Sequence, residues 1–198
     1  MSAPPKTVLT ASAEEEAAIR QAVRSFGADR VAGPQHVAGL ADLFSDPRVS
    51  DPIYDLPRPF TEENVARWVA QSAALRQKGE CILMVTPDED GGIGGYSRIT
   101  VWPDRSSAEL AGAARADRQN TGRGRQGVAS SVGAIFEVLG VRLIGLTAAL
   151  DNVRSAAAID GASFIRMGER ESVRPDGGVR RSIYWELTRD QWRALQRP

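Results

Sequence analysis

The chain has 198 residues, 42% of them apolar, enough to bury one substantial core. Its formal net charge is zero, which argues against a generic nucleic-acid or membrane surface. Cys81 and His36 are the only cysteine and histidine, which excludes an intramolecular disulfide and any metal cluster built on cysteine or histidine.

Basic charge is carried almost wholly by arginine, with Lys6 and Lys78 as the only lysines. Arginine suits phosphate and carboxylate recognition, although the bias equally fits genomic composition. No apolar stretch reaches membrane-spanning length, and the N-terminus lacks the basic and hydrophobic regions of a secretion signal. A cytoplasmic protein with no membrane partner is expected.

Residues 1–9 are expected to form a loose tail, kept extended by Pro4 and Pro5. Ser12 is placed to cap a helix, with Glu15 at its third position and Glu14 to Glu16 against the positive end of the dipole. Ile19, Ala22, Val23 and Phe26 give that helix an apolar stripe, and Gly27 can end it. The stripe either covers the chain's own sheet or reaches a neighbouring subunit. Residues 30–32 predict a short strand. After Gly33 and Pro34 a second helix should run to about Phe44, carrying His36, with Val37, Leu40, Leu43 and Phe44 inward. Residues 46–60, DPRVSDPIYDLPRPF, are too rich in proline for regular structure. Within them Tyr54 and Phe60 either peg the loop to the core or line a substrate cleft. Thr61 then caps a long helix through Val65, Trp68, Val69, Ser72 and Leu75, ending near Gly79.

Residues 81–86 read as a buried strand beginning at Cys81. PDEDGG turns the chain into a partner strand at 93–102, and a third strand follows at 107–116. Three successive strands without a helix imply an antiparallel half-sheet. The order then changes. Residues 117–139, DRQNTGRGRQGVASSVGAIFEVL, join a glycine-arginine turn to a helix whose Val128, Val132, Ile135, Phe136 and Leu139 form one apolar face. Gly122 and Gly124 let several backbone amides converge, and Arg123 and Arg125 add positive charge, which makes the turn an anion site at a helix N-terminus. A strand at 143–150 should lie parallel to the third strand, closing a βαβ unit with its ligand crevice beyond the strand C-termini. A small helix at 155–160, strands at 164–170 and 181–187, and a last helical turn in TRDQWRAL complete a mixed α+β chain.

Gln119, Asn120, Thr121, Gly122, Arg123 and Gly124 fit the Q/R-x-x-G-x-G/A signature of the GCN5-related N-acetyltransferases (GNAT). Residues 151–164, DNVRSAAAIDGASF, resemble the N-x-x-S…(G)F segment of the RimJ/RimL-type ribosomal-protein alanine acetyltransferase branch, with Asn152, Ser155 and Phe164 in register. ADLFSDPRVSDPI is similar to that branch's first helix and turn. The resemblance spans roughly residue 28 to the C-terminus, behind a tail and helix at 1–27, and one departure is Ser163 where the family has glycine.

The resemblance implies the GNAT acyl-CoA N-acyltransferase fold, acetyl-CoA as cofactor, no metal and a homodimer. It implies that Gln119 to Arg125 hold the coenzyme A diphosphate. Its splayed third and fourth strands imply that the backbone at 113–116, including Ala114 and Ala116, and at 147–150 receives the acetyl group and the pantetheine arm. The acceptor implied is a primary amine, either a protein or peptide N-terminus or a small molecule such as an antibiotic or metabolite; an inactive acyl-CoA-binding module is the alternative.

Acyl transfer to an amine needs a proton acceptor for the ammonium and a proton for the departing sulfur. Glu109 interrupts a small, apolar strand and is the candidate base, though its spacing to Gly122 is about two residues longer than in the family, room for a bulge. Ser155 is the candidate acid, or alternatively a helix N-cap. Asn152 faces the pantetheine or a strand end. The tyrosine common four positions later is Ile159 here, and Tyr184 is a distant substitute better suited to the core. Asp51, Asp55 and Glu186 are candidates to attract a protonated amine.

Overall fold

The computed structural model describes residues 4–118, 130–173 and 177–196. Helix α1 (Ala13–Ser25) begins where the Ser12 side chain accepts from the Glu15 amide, with three glutamates in its first turn. A short 3-10 turn, Pro34–His36, leads into α2 (Val37–Ser45), and the His36 Nδ1 accepts from the Gly33 amide at 3.0 Å. The proline-rich stretch is not wholly irregular. Asp46 caps a single helical turn, α3 (Pro47–Ser50), because Pro47 at the first position lacks only an N–H that a helix start leaves unused. Helix α4 (Glu62–Lys78) is capped by Thr61 and closed by Gly79 in the left-handed region at φ 77°.

The remaining elements are β1 (Cys81–Pro87), β2 (Ile93–Trp102), β3 (Ser107–Ala114), α5 (described over 130–139), β4 (Leu143–Ala149), α6 (Val153–Gly161), β5 (Ile165–Val173), β6 (Val179–Thr188) and α7 (Arg189–Leu195). The last turn of α5, Ile135–Leu139, is π-helical. The strand expected at 30–32 reduces to one bridge between Val31 and Met84. Helix α6 starts two residues earlier than expected because Asn152, not Ser155, is its cap: the Asn152 Oδ1 accepts from the Ser155 amide at 3.1 Å.

Among the described residues six strands form one sheet in the order β1-β2-β3-β4-β6-β5. All neighbours are antiparallel except β3 and β4. Alternation along each strand sends its apolar residues to two faces. On one face Ile82, Ile99, Val101, Ile144, Leu146, Trp185 and Leu187 pack with Ile19 and Val23 of α1 and with Val132, Ile135, Phe136 and Leu139 of α5. On the other, Leu83, Val85 and Tyr96 meet Leu40, Leu43, Phe44, Val65, Trp68 and Val69 of α2 and α4. The extra N-terminal helix therefore covers this chain's own sheet. Cys81 is a fully buried strand residue whose thiol pKa is pushed up by burial. No described helix is long and apolar enough to cross a membrane.

The tail departs from expectation. Residues 4–7 lie against the α4-side face of β6, where the Lys6 amide donates to the Tyr184 hydroxyl at 3.2 Å and the Thr7 amide to Glu186 Oε1 at 3.0 Å. The extended tail expected from Pro4 and Pro5 instead bends at Lys6 and Thr7, the two residues whose amides donate to β6.

Candidate active site

Strands β3 and β4 share only three rungs: Ser107 with Leu143, Ala108 with Ile144, and Glu109 with Gly145. Past that point β3 stays with β2 as far as Ala114, and β4 stays with β6 as far as Ala149. Among the described residues no ladder joins 110–113 to 146–149, so the sheet opens into a split whose walls are strand edges. Backbone N–H and C=O groups on such edges are strong hydrogen-bonding groups, and an extended ligand arm can take the place of the missing strand. The split fits the pantetheine arm of coenzyme A on that ground. Connecting the C-terminal end of β3 to α5 are residues 119–129. Gln119, Asn120, Thr121, Gly122, Arg123, Gly124 and Arg125 therefore lie outside the described residues.

Glu109 stands on the last shared rung. Because Ala108 and Leu110 join the α5-side core, alternation turns Glu109 to the opposite face, where it is 6% exposed. The register of β2 with β3 runs unbroken from Trp102–Ser107 to Gly95–Ala114, so no bulge displaces it. Thr147, two residues beyond Gly145, shares its face and donates a long hydrogen bond of 3.5 Å to Glu109 Oε1. Across the same rung, Gly145 pairs with Glu186. Two strand spacings, about 10 Å, thus separate the Glu109 and Glu186 backbones.

Tyr184 fills the space between. A methyl group on Gly145 would lie 2.9 Å from the Tyr184 hydroxyl, so it is this glycine that lets the phenol lean over β4. The hydroxyl donates to Glu186 Oε1 at 2.6 Å. Burial, and then this hydrogen bond to a carboxylate, push the Tyr184 pKa well above the ordinary phenol value. The phenol therefore keeps its proton at neutral pH.

Loop 51–60 bridges the split on this face. Asp55 pairs with Arg98 of β2 at 3.1 Å, both side chains being largely buried, while Arg180 of β6 stacks 5.1 Å from the Tyr54 ring and donates to the Pro52 carbonyl. Tyr54 is buried, and Phe60 is half-buried with its ring 5.8 Å from Phe44. Both rings thus hold the loop down at either end of its span. Asp55 and Glu186 are engaged by Arg98 and by Tyr184 with the tail, respectively.

The cap made by Asn152 puts Ser155 in the first turn of α6, half-buried, just beyond the C-terminal end of β4. Ala114 ends β3, and Ala116 lies in the 3-10 turn Ala116–Arg118, packed against the α2- and α4-side core. Ile159 is a core residue. The structure therefore gathers Glu109, Thr147, Tyr184 and Glu186 on one face. Sequence reasoning passed over the Thr147 side chain, although its alternation with Leu146 and Ala148 placed it on the face of Glu109. Tyr184, expected as a distant substitute better suited to the core, is buried, but its hydroxyl reaches Glu186 on the face of Glu109. No described group of His, Cys, Asp and Glu residues could hold a metal ion.

Residues 30–164 match the family described as an acetyltransferase (GNAT) domain. No curated protein sequence matches. Among solved structures, a ribosomal-protein-S5-alanine acetyltransferase from Vibrio fischeri superposes with a TM-score of 0.70 at 18% identity, covering 82% of this chain and 93% of its own. A spermidine N-acetyltransferase from Vibrio cholerae gives 0.67 at 14% identity, covering 85% and 98%. The aminoglycoside acetyltransferase AAC(6')-Ib, in complex with coenzyme A and kanamycin, gives 0.67 at 20% identity, with 85% and 98% covered. At such identities the likeness carries the fold. With the family match over most of the sequence and a sheet split between its one parallel pair, the chain belongs to the GNAT acetyltransferase family.

Proposed function

We propose that the protein transfers the acetyl group of acetyl-CoA to a primary amine by direct attack in a ternary complex. The observation that carries this reading is the divergence of β3 from β4 with a buried glutamate on the last shared rung. When bound, the cofactor supplies an acetyl group activated as a thioester. Backbone groups at 113–116 and 147–150 hold the acetyl carbonyl and the pantetheine arm. Gln119 to Arg125 hold the diphosphate, and Asn152, already the α6 cap through its carbonyl, offers its amide hydrogens to the arm. Glu109 takes the proton from the acceptor ammonium, directly or through water. Ser155 holds a proton at its hydroxyl for the departing sulfur. No covalent enzyme intermediate is involved, and holding the two substrates together provides much of the rate.

The acceptor class we infer is a protein or peptide N-terminal amine, supported by the ribosomal-protein acetyltransferase among the similar structures. The polyamine and aminoglycoside enzymes of the same fold motivate the small-amine alternative. Both are tested together by incubating the protein with acetyl-CoA and a panel of peptides, polyamines and aminoglycosides while following thiol release. Release above buffer with one class identifies it. Release with none overturns the enzymatic reading.

A further inference from the structure

Glu186 is a buried carboxylate, 5% exposed, in the row that holds Glu109. Three donors reach it: the Tyr184 hydroxyl, the Thr7 amide and the Thr7 hydroxyl. Two of the three belong to the tail. A carboxylate removed from water needs such donors, and here a chain segment from the other end of the sequence supplies them. The same segment is held at three further points. The Lys6 amide donates to the Tyr184 hydroxyl, and the Lys6 ammonium donates to the carbonyls of Met167 and Glu169 at 3.1 and 3.0 Å. The Pro4 carbonyl accepts from Arg170 at 3.0 Å.

These contacts fix where the segment lies. Thr7 bonds Glu186, the partner of Gly145; Lys6 bonds the Tyr184 hydroxyl, which itself leans over Gly145; and Pro4 is tied to the Arg170 guanidinium, which lies 5.2 Å from the centre of the Tyr184 ring. The tail thus crosses the sheet at the level of the last shared rung, with Pro5 Cγ 3.4 Å from where a methyl group on Gly145 would stand. It does so on the face that carries Glu109 and Thr147, opposite the face covered by α5. Most of its bonds are read from backbone atoms and a basic side chain, which is how a groove holds an extended peptide.

We propose that this face of β6, with Tyr184 and Glu186 at its centre, is the subsite for the backbone of an extended polypeptide acceptor, and that residues 4–7 fill it as an internal competitor. The inference rests on the acetyl-transfer reading and regulates access to the same site. Its test is binding, which does not require turnover. A fluorescein-labelled peptide of sequence PPKTVLTA, that of residues 4–11, is titrated by anisotropy into the full chain and into full chain carrying Thr7→Pro, which removes both tail donors to Glu186. The expected result is at least tenfold tighter binding to Thr7→Pro, lost again when Glu186→Gln is added. Equal affinity for the two chains, or no effect of Glu186→Gln, overturns the proposal. Thr7→Ala, which removes only the hydroxyl, gives an intermediate affinity and serves if Thr7→Pro does not fold. Thiol release on the same samples separates the two readings. Differential peptide binding without release under any amine overturns acetyl transfer and keeps the subsite; release without differential binding keeps acetyl transfer and overturns the subsite.

Discussion

Glu109 is the one acidic residue in a strand otherwise built of Ser, Ala, Leu and Gly, and it is buried. A carboxylate in that position has work to do or a cost to carry. An amine acceptor is largely protonated at neutral pH, since an α-amine titrates near 8 and a side-chain amine near 10. Glu109→Gln is therefore expected to lower kcat/KM by about tenfold to a hundredfold, most on the acidic side of the pH profile, while leaving acetyl-CoA affinity nearly intact. Ser155→Ala is expected to lower chiefly kcat. Steady-state kinetics with chemistry shown to limit the rate check both; losses under twofold for both would leave positioning as the only source of rate. Ser163 poses a different residue-scale question. It stands where the family has glycine, and it takes up φ 65°, a left-handed conformation that side chains pay to adopt. The turn needs it there, because the amides of Ser163 and Phe164 fold back onto the carbonyls of Asp160 and Ile159 and so deliver Phe164 to the core. Ser163→Gly should relieve that strain against a smaller loss of unfolded-chain restriction, raising stability by about 0.5–1 kcal/mol. A urea midpoint that rises with unchanged slope is the expected reading.

Helix α1 is fastened to the sheet at its first turn as well as along its stripe. The Ser106 hydroxyl donates to Glu15 at 2.6 Å, and Arg142, at the entry to β4, pairs with the same carboxylate at 2.8 Å. Burial works against the Glu15 charge, but the Ser106 hydrogen bond and then the Arg142 charge outweigh it, so the carboxyl is held below its ordinary range. A depressed carboxyl stabilises the fold above its unfolded pKa, about 4.3, and that contribution is lost as pH falls through the lower folded value. Glu15→Gln should consequently be less stable than wild type at pH 7, with the gap closing below about pH 4. Thermal midpoints across pH 3 to 7 would show a constant gap if the pairing were irrelevant. The segment proposed to hold the diphosphate, outside the described residues, carries the companion prediction for the cofactor: if Gln119 to Arg125 hold it as proposed, Gly122→Val or Gly124→Val should weaken acetyl-CoA binding at least tenfold, about 1.4 kcal/mol. Unchanged binding in a folded variant rejects the site. These elements also show where sequence was informative. Ser12, Thr61 and Gly79 announce helix ends because capping is a bond across three or four residues. At α6 the same local rule pointed to Ser155, but a hydrogen-bonding side chain three residues earlier, Asn152, took the cap. The seat of the tail was invisible, since Thr7 and Glu186 are 179 residues apart and no local pattern announces such a contact. Alternation placed residues on faces but could not say after which rung β3 and β4 part; only the resemblance suggested a split.

The whole molecule is two half-sheets, β1-β2-β3 and β4-β6-β5, joined by three rungs at one end and opened at the other. Helices α1 and α5 tie the halves on one face through a continuous apolar core. On the opposite face loop 51–60 ties them beside the long Thr147–Glu109 hydrogen bond, gripping β2 through Asp55 and Arg98 and β6 through Tyr54, Pro52 and Arg180. That face of the split is therefore spanned by a polar bridge whose Asp55 and Arg98 side chains are 6% and 14% exposed. Removing one member of a buried pair leaves the other uncompensated, at a typical cost of about 3–5 kcal/mol, whereas removing both costs far less. Arg98→Leu should accordingly destabilise the protein by about 3 kcal/mol, and adding Asp55→Asn should restore more than half of the loss. If the pair did no more than hold up the core, the single variant's kinetics at a temperature where it stays folded would match wild type. If the loop sets the gap between the half-sheets, Arg98→Leu raises KM for the acceptor severalfold while acetyl-CoA affinity, proposed to rest on the strand edges and residues 119–125, holds. The double variant then recovers stability without recovering KM, because the loop's grip on β2 is still gone.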